Sequence, residues 1–217
     1  MPNWCNNVLT VEGDAEQLQK FLKDTEVEED ERFHPMNLHP TPEDMYLAHA
    51  IERELMTYDD DQNLSARQLE LEMQIDAGEF AGFEELYGAK DWYDWNVKNW
   101  GTKWEVHMHL ASKEDTSAHF HFESAWSPPT SLFDAIAPKY PLLSFTLSYE
   151  ELGCDFAGAA HWANGKFIDE MTVDLSEDAR YAKALEDDPD FETGNIYDVV
   201  ADIQDECIAA VQKPKNV

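Results

Sequence analysis

The chain has 217 residues, enough for one domain with additions or two small ones, and 46 Asp and Glu against 15 Lys and Arg give a formal charge of −31. Phosphate backbones are bound by Lys and Arg that displace counterions, so a field of this sign repels DNA, RNA and anionic membranes and excludes ordinary nucleic-acid binding. It attracts basic partners, although solubility alone also accounts for an acidic surface.

Residues Asn6–Glu12 alternate, with Cys5, Leu9 and Val11 on one side, and stop at Gly13, which predicts a strand. Asp14 then caps a helix with Leu18, Phe21 and Leu22 as its apolar stripe. Glu26–Arg32 (EVEEDER) reads as a solvated acidic loop, and Phe33–Pro42, broken by three prolines, as extended chain. From Glu43, residues Leu47, Ala50, Ile51, Leu55 and Tyr58 fall at helical spacing until DDDQN (Asp59–Asn63) interrupts. Leu69–Ile75 alternates like a strand, but every residue in it except Ile75 favours helix, so a helix is expected.

The aromatic stretch Asp91–Trp104 leads into a hairpin of Glu105–Leu110 and Ala118–Glu123 about the turn-like ASKEDTS. Ser127 is placed to cap, and Pro128 to open, a helix in AWSPPTSLFDAIAPKY. Leu143–Tyr149 alternates as a strand, and Phe156–Trp162 and Lys166–Val173 flank Asn164-Gly165, the strongest short hairpin signal available. In the tail, Ile196, Val199, Val200, Ile203, Cys207 and Val211 form an apolar stripe backed by Asp198, Asp202, Asp205 and Glu206. The element order predicts an α+β, ferredoxin-like antiparallel sheet with helices on one face. Residues 1–175 form that domain, with a helical insertion at about 43–90, and 176–217 an acidic helical tail.

The acid is uneven. Residues 1–89 carry five basic and 22 acidic groups, residues 90–175 six and 13, and the tail from Ser176 four and eleven, so the middle is comparatively neutral. Cys5, Cys154 and Cys207 are scattered and form no CxxC pair, which indicates neither a disulfide framework nor a cysteine zinc site. The opening MPNWCNNVLTVEGD lacks the basic start and apolar run of a signal peptide. No apolar stretch approaches the roughly 20 residues that span a bilayer, so the expected location is the cytoplasm of a cell or of an infected host.

Three constellations carry chemistry. If Val106, Met108 and Leu110 share the core face with Ala118, Phe120 and Phe122, then His107, His109, His119 and His121 lie together on the other face. Cross-strand neighbours there sit about 5 Å apart, and paired imidazoles suit zinc or another divalent metal. The plain alternative is a polar sheet face, which Ser144, Thr146 and Ser148 would join. Second, Trp95, Asn99, Trp100, Gly101, Thr102, Lys103 and Trp104 form a binding segment in which aromatics beside amides and a lysine suit a small anionic or nucleotide-type ligand. It lacks the glycines of a phosphate loop, and the same tryptophans would also serve to close a sheet edge, with Gly101 at a bend. Third, Glu28, Glu29, Asp30 and Glu31, together with Asp198, Asp202, Asp205 and Glu206, offer an acidic protein-binding surface. No positive charge near Cys154 lowers its thiol toward a nucleophile for His161, and no carboxylate pair is singled out for acid–base work.

The segments MPNWCNN, YDWNVKNWGTKW and AWSPP followed by YP resemble the YubB-like proteins of phages and conjugative plasmids over residues 1–160, with NWGTKW the most specific piece. The resemblance implies a ferredoxin-like fold, a mobile-element origin and a bacterial host cytoplasm, and no defined activity. The expectation is a non-enzymatic accessory protein without a cofactor, which binds a basic host protein, such as a defence factor, by imitating nucleic acid. A metal- or small-ligand-binding protein is the alternative, and an enzyme the third reading.

Overall fold

The computed structural model describes residues 3–27, 32–52, 66–77, 82–189 and 194–213. The chain opens with β1 (Trp4–Gly13), α1 (Ala15–Thr25) and a two-residue ladder of β2 (Glu26–Val27) and β3 (Arg32–Phe33). Four helices follow: α2 (Glu43–Glu52), α3 (Ala66–Asp76), α4 (Phe83–Tyr87) and α5 (Trp92–Trp100). Then come β4 (His109–Lys113), β5 (Ser117–Ala125), α6 (Thr130–Ile136), β6 (Leu143–Glu151), β7 (Phe156–Ala163), β8 (Lys166–Asp174), α7 (Ala179–Asp187) and α8 (Asn195–Val211). The strands form a six-stranded antiparallel sheet in the order β4-β5-β1-β6-β7-β8. Its β1-α1-β4-β5-α6-β6 run is the ferredoxin-like plan, and the β7–β8 hairpin extends it. Two compact units result, Met1–His39 with Gly101–Val217, and Pro40–Trp100.

Strict alternation in β1 decides which side chains face the helices. Cys5, Asn7, Leu9 and Val11 are buried, and Leu9 stands between Phe120 on β5 and Leu147 on β6. Asp14 caps α1 by accepting from the Gln17 amide at 3.0 Å, which satisfies one of the amides a helix start leaves open. Phe21 of α1 meets the rings of Phe120, Tyr140 and Phe145 edge-on at 5.4–6.3 Å. Phe133 of α6 covers Phe145 and Trp162 beside them.

The opposite face is covered over only part of its width. Ile196, Val200, Ile203, Cys207 and Val211 of α8, with Tyr181 and Ala184 of α7, pack on Ala157 and Ala159 of β7. Those two alanines leave room for a helix to lie close. Gln212 adds a hydrogen bond from Nε2 to Thr146 Oγ1 at 3.1 Å. The tail helix is therefore built into the core, while no described helix of this unit lies on the β4-β5-β1 half of this face. In the Pro40–Trp100 unit, Leu47, Ala48 and Leu71 form a small core. There the Arg67 guanidinium clasps Asp44 at 2.6 and 2.8 Å, and with Tyr87 holds its carboxyl below the usual carboxylate range. No helix among the described residues is long and apolar enough to cross a membrane.

Several expectations shift. The Leu69–Ile75 segment is helical within α3, as expected, whereas the aromatic stretch, given no element from the sequence, is helical as α5 and is followed by Gly101 with φ +85°. The first hairpin strand runs from His109 to Lys113 rather than from Glu105, since Met108 bridges to Phe33 instead, and a bulge between Leu110 and Ser112 shifts its register on β5. Val106 and Met108 remain buried. Helix α6 starts at Thr130, not Pro128, and Ser127 does not cap it: its hydroxyl donates to the Gly101 carbonyl at 2.5 Å. Pro35–Leu38 is a 3-10 turn rather than extended chain, and α7 was not anticipated. Asn164 and Gly165 form the hairpin turn with φ +53° and +71°, as a type I′ turn requires. Leu55, Tyr58, Asp59–Asn63 and the acidic residues Glu28, Glu29, Asp30 and Glu31 lie outside the described residues.

The packing of α8 makes a direct prediction. Ile203→Ala should destabilise the protein by about 2–5 kcal/mol in urea unfolding, whereas Asp202→Ala on the exposed side should change stability by no more than about 0.5 kcal/mol. A tail that merely trails from the domain would leave the two variants alike.

Candidate functional site

Where β5 ends, β1 begins, with Trp4 opposite Ala125, and three separate chain segments are fastened together. The buried Asn7 donates from Nδ2 to the Cys5 carbonyl at 2.8 Å and to Ser124 Oγ at 2.9 Å. Ser124 Oγ donates to the Ser127 carbonyl at 2.8 Å, and Thr102 Oγ1 to the Ala125 carbonyl at 2.9 Å. The Trp126 amide donates to the Asn3 carbonyl at 3.0 Å. Gly101 is required here: besides its positive φ, a Cβ would stand 3.0 Å from the Pro128 carbonyl oxygen. The fastening holds Trp126 at φ +72°, which is unfavourable for a bulky L residue.

The product is an aromatic corner. Trp4, Trp104 and Trp126 are 46, 37 and 48 % exposed. Trp4 and Trp104 lie with ring centroids 5.9 Å apart, and Lys103 Nζ sits 4.7 Å above the Trp104 ring. Of the expected binding segment, only Lys103 and Trp104 contribute to this surface. Trp95 and Trp100 are buried and pack edge to face at 5.8 Å, and Asn99 donates to the Trp95 carbonyl at 2.9 Å. Gly101 and Thr102 act as fasteners. Trp126 was missed, and its only trace in the sequence is the AWSPP segment.

Trp4 continues into a cavity of about 650 Å³ on the open half of the sheet. Its floor is Asn6 and Val8 of β1 with His121 and Glu123 of β5, and its sides include Arg32, Glu105, His107 and His109. His109 lies opposite His121 across the strands, while His107 Nδ1 meets His34 Nε2 at 3.0 Å. His119 does not line the cavity; its Nδ1 pairs with Thr10 Oγ1 at 3.0 Å. Three of the four expected histidines are thus gathered, with His34 as an unanticipated neighbour. Among the described residues, no three of His, Cys, Asp and Glu stand close enough together to hold a metal ion.

Glu150 closes the cavity wall. One carboxylate oxygen accepts from Asn6 Nδ2 at 3.2 Å, and the other is buried and meets no donor. Burial therefore pushes this carboxyl above its ordinary range; the Asn6 bond opposes the shift and the neighbouring Glu151 adds to it. All three thiols are shifted toward their neutral form. Burial pushes Cys5 up to about 12 and also raises Cys207, and the Glu151 carboxylate raises the exposed Cys154. His161, lowered by burial, is engaged at Nδ1 with Thr146 Oγ1.

On α8, Asp198, Asp202 and Asp205 are exposed along the side opposite the buried stripe. Glu206 is also exposed, but Arg180 grips it at 2.6 and 3.0 Å while binding Asp178, whose carboxyl falls to about 2. Three of the four expected tail acids thus form the open ridge.

The fold and site define a ferredoxin-like α+β protein with a polar and aromatic cavity on its open half-sheet. Residues 99–195 match a family model described as the ferredoxin-like domain in Api92-like protein. The crystal structure of a protein api92 from Yersinia pseudotuberculosis is similar over 80% of this chain and 98% of that one, at 11% identity and a TM-score of 0.47. No curated protein matches the chain.

Glu150 gives the site a pH signature. Because its folded pKa is raised, the stability tied to its neutral form is complete below the ordinary carboxylate range and is lost as pH rises through the raised value. Glu150→Gln, which stays uncharged, should therefore raise the urea midpoint relative to wild type at neutral pH. That gap should close on acidification to below about pH 4, and a gap that does not depend on pH would rule out the buried charge as its source.

Proposed function

We propose that this is a non-enzymatic accessory protein of a phage or conjugative element, of the YubB-like kind its motifs resemble, which binds a basic surface on a host protein and inhibits it. The partner is a protein that holds nucleic acid, such as a defence factor, and the carboxylates take the place of the phosphates. The observation that carries this reading is the mounting of the acid on α8. Asp198, Asp202 and Asp205 are fixed in space because the opposite stripe of the same helix is buried in the core. At about 1.5 Å rise per residue they present one charge per roughly 5 Å, against one per about 3.4 Å along a DNA strand. The formal charge of −31 extends the attraction beyond contact range and steers a basic partner toward the molecule.

A second reading is favoured by the cavity: a small ligand bound between Trp4, the histidines and Glu123, with a size suited to a nucleoside-like or peptidic molecule. The two readings separate experimentally. Affinity capture from a bacterial lysate at about 50 mM salt should retain a partner that is released both by about 300 mM salt and by duplex DNA. The triple variant Asp198→Asn, Asp202→Asn, Asp205→Asn should lose most of that capture. Capture equal to wild type by this variant, or retention insensitive to salt and DNA, would remove the mimicry reading.

A further inference from the structure

We infer that the cavity on the open half-sheet receives an arginine side chain of the partner. The inference rests on the proposal that the partner is a basic protein, and it assigns to this cavity a recognition role separate from the α8 ridge.

The cavity wall combines the two features that recognise a guanidinium. One is an indole: Trp4 is half-exposed, lines the cavity and is backed by Trp104. An aromatic face attracts a cation placed over it, and a planar guanidinium also stacks on it. This corner already accepts one cation, since Lys103 lies over the Trp104 ring at 4.7 Å. The other feature is carboxylate: Glu105, Glu123 and Glu150 come from three different segments and line the same space. Glu105 and Glu123 are exposed and meet an incoming guanidinium directly, through paired N–H···O bonds. Glu150 is half-buried, with one oxygen lacking a donor, and a nearby positive charge relieves the cost of its ionised form.

Charge decides the sign of the ligand. The lining carries the carboxylates of Glu105, Glu123 and Glu150 against the guanidinium of Arg32. An anion entering here would meet a net negative wall inside a molecule of formal charge −31. Arginine is preferred to lysine because its planar fork stacks on the indole and pairs with a carboxylate at once, whereas an ammonium is a compact, strongly hydrated point charge. Within this unit α7 and α8 pack on β7 and its neighbours, and no described helix of the unit packs on β4, β5 and β1 on this side.

Acetylated, amidated tetra-arginine and tetra-lysine peptides serve as probes, titrated at low salt by calorimetry and tryptophan fluorescence. Wild type should bind tetra-arginine several-fold more tightly than tetra-lysine, with a change in fluorescence. The double variant Glu105→Gln, Glu123→Gln should weaken tetra-arginine binding about tenfold. Trp4→Leu, which leaves all three carboxylates in place, should abolish the preference for arginine. The α8 triple variant should retain that preference. If the double variant binds like wild type while the α8 variant loses binding, the cavity inference falls and the basic-partner reading stands. If wild type binds neither peptide, both fall.

Discussion

The central position of β1, and the register it imposes, is the constraint on which the rest of the structure depends. Leu9 faces Phe120 on one side and Leu147 on the other, so the odd-numbered residues of β1 enter the aromatic core beneath α1 and α6. Its even-numbered residues must then face the other way, and Trp4, Asn6 and Val8 become part of the cavity lining. A slip of one residue would exchange the two sets, burying Asn6 where Leu9 and its partners require apolar contact. The core and the candidate site are thus two sides of the same alternation.

Within its own unit, the described helices cover only part of the second face. Ala157 and Ala159 admit α8 at β7, whereas β5 presents histidine and glutamate on the corresponding side of the sheet. A half-sheet that presents histidine and carboxylate beside Val8 offers a helix less apolar area than the alanines of β7 do. The buried Asn7–Ser124 bond and the Thr102–Ala125 and Ser127–Gly101 contacts fix the adjoining corner. The exposed tryptophans are therefore presented from an ordered framework, so a ligand bound there would order fewer side chains. The acid has two distinct settings: a solvated ridge on α8, and the carboxylates of the cavity, among them the half-buried Glu150.

Much of the fold was legible because its signals are local. Alternation marked β1, β6 and the second hairpin, Asp14 marked the start of α1, and Asn164-Gly165 marked its turn. The apolar stripe of α8 was readable to the residue. Local signals failed where a side chain is used by a distant segment. Ser127 looks like a cap, but its hydroxyl is committed to Gly101, and the β4 register depends on a bulge. Aromatic residues on several sides of α5 blur its period, since Trp95 and Trp100 are buried while Tyr93 is exposed. The site was harder still. MPNWCNN, GTKW and AWSPP are far apart in the chain, and no spacing rule shows that Asn7 meets Ser124 or that Trp4 meets Trp104. The four histidines shared parity as expected, yet position along the strands separates His119 from the others and brings His34 in from another loop.

The central claim is that the aromatic corner and the adjoining half-sheet receive an arginine of the basic partner that the proposal assigns to this protein. Fluorine NMR of 5-fluorotryptophan-labelled protein tests it directly, because the chain has seven tryptophans in distinct settings. On addition of an arginine-rich peptide, the resonances of Trp4, Trp104 and Trp126 should shift, Trp4 most of all, while those of the buried Trp95, Trp100 and Trp162 remain in place. Binding that leaves Trp4, Trp104 and Trp126 unmoved would contradict the account.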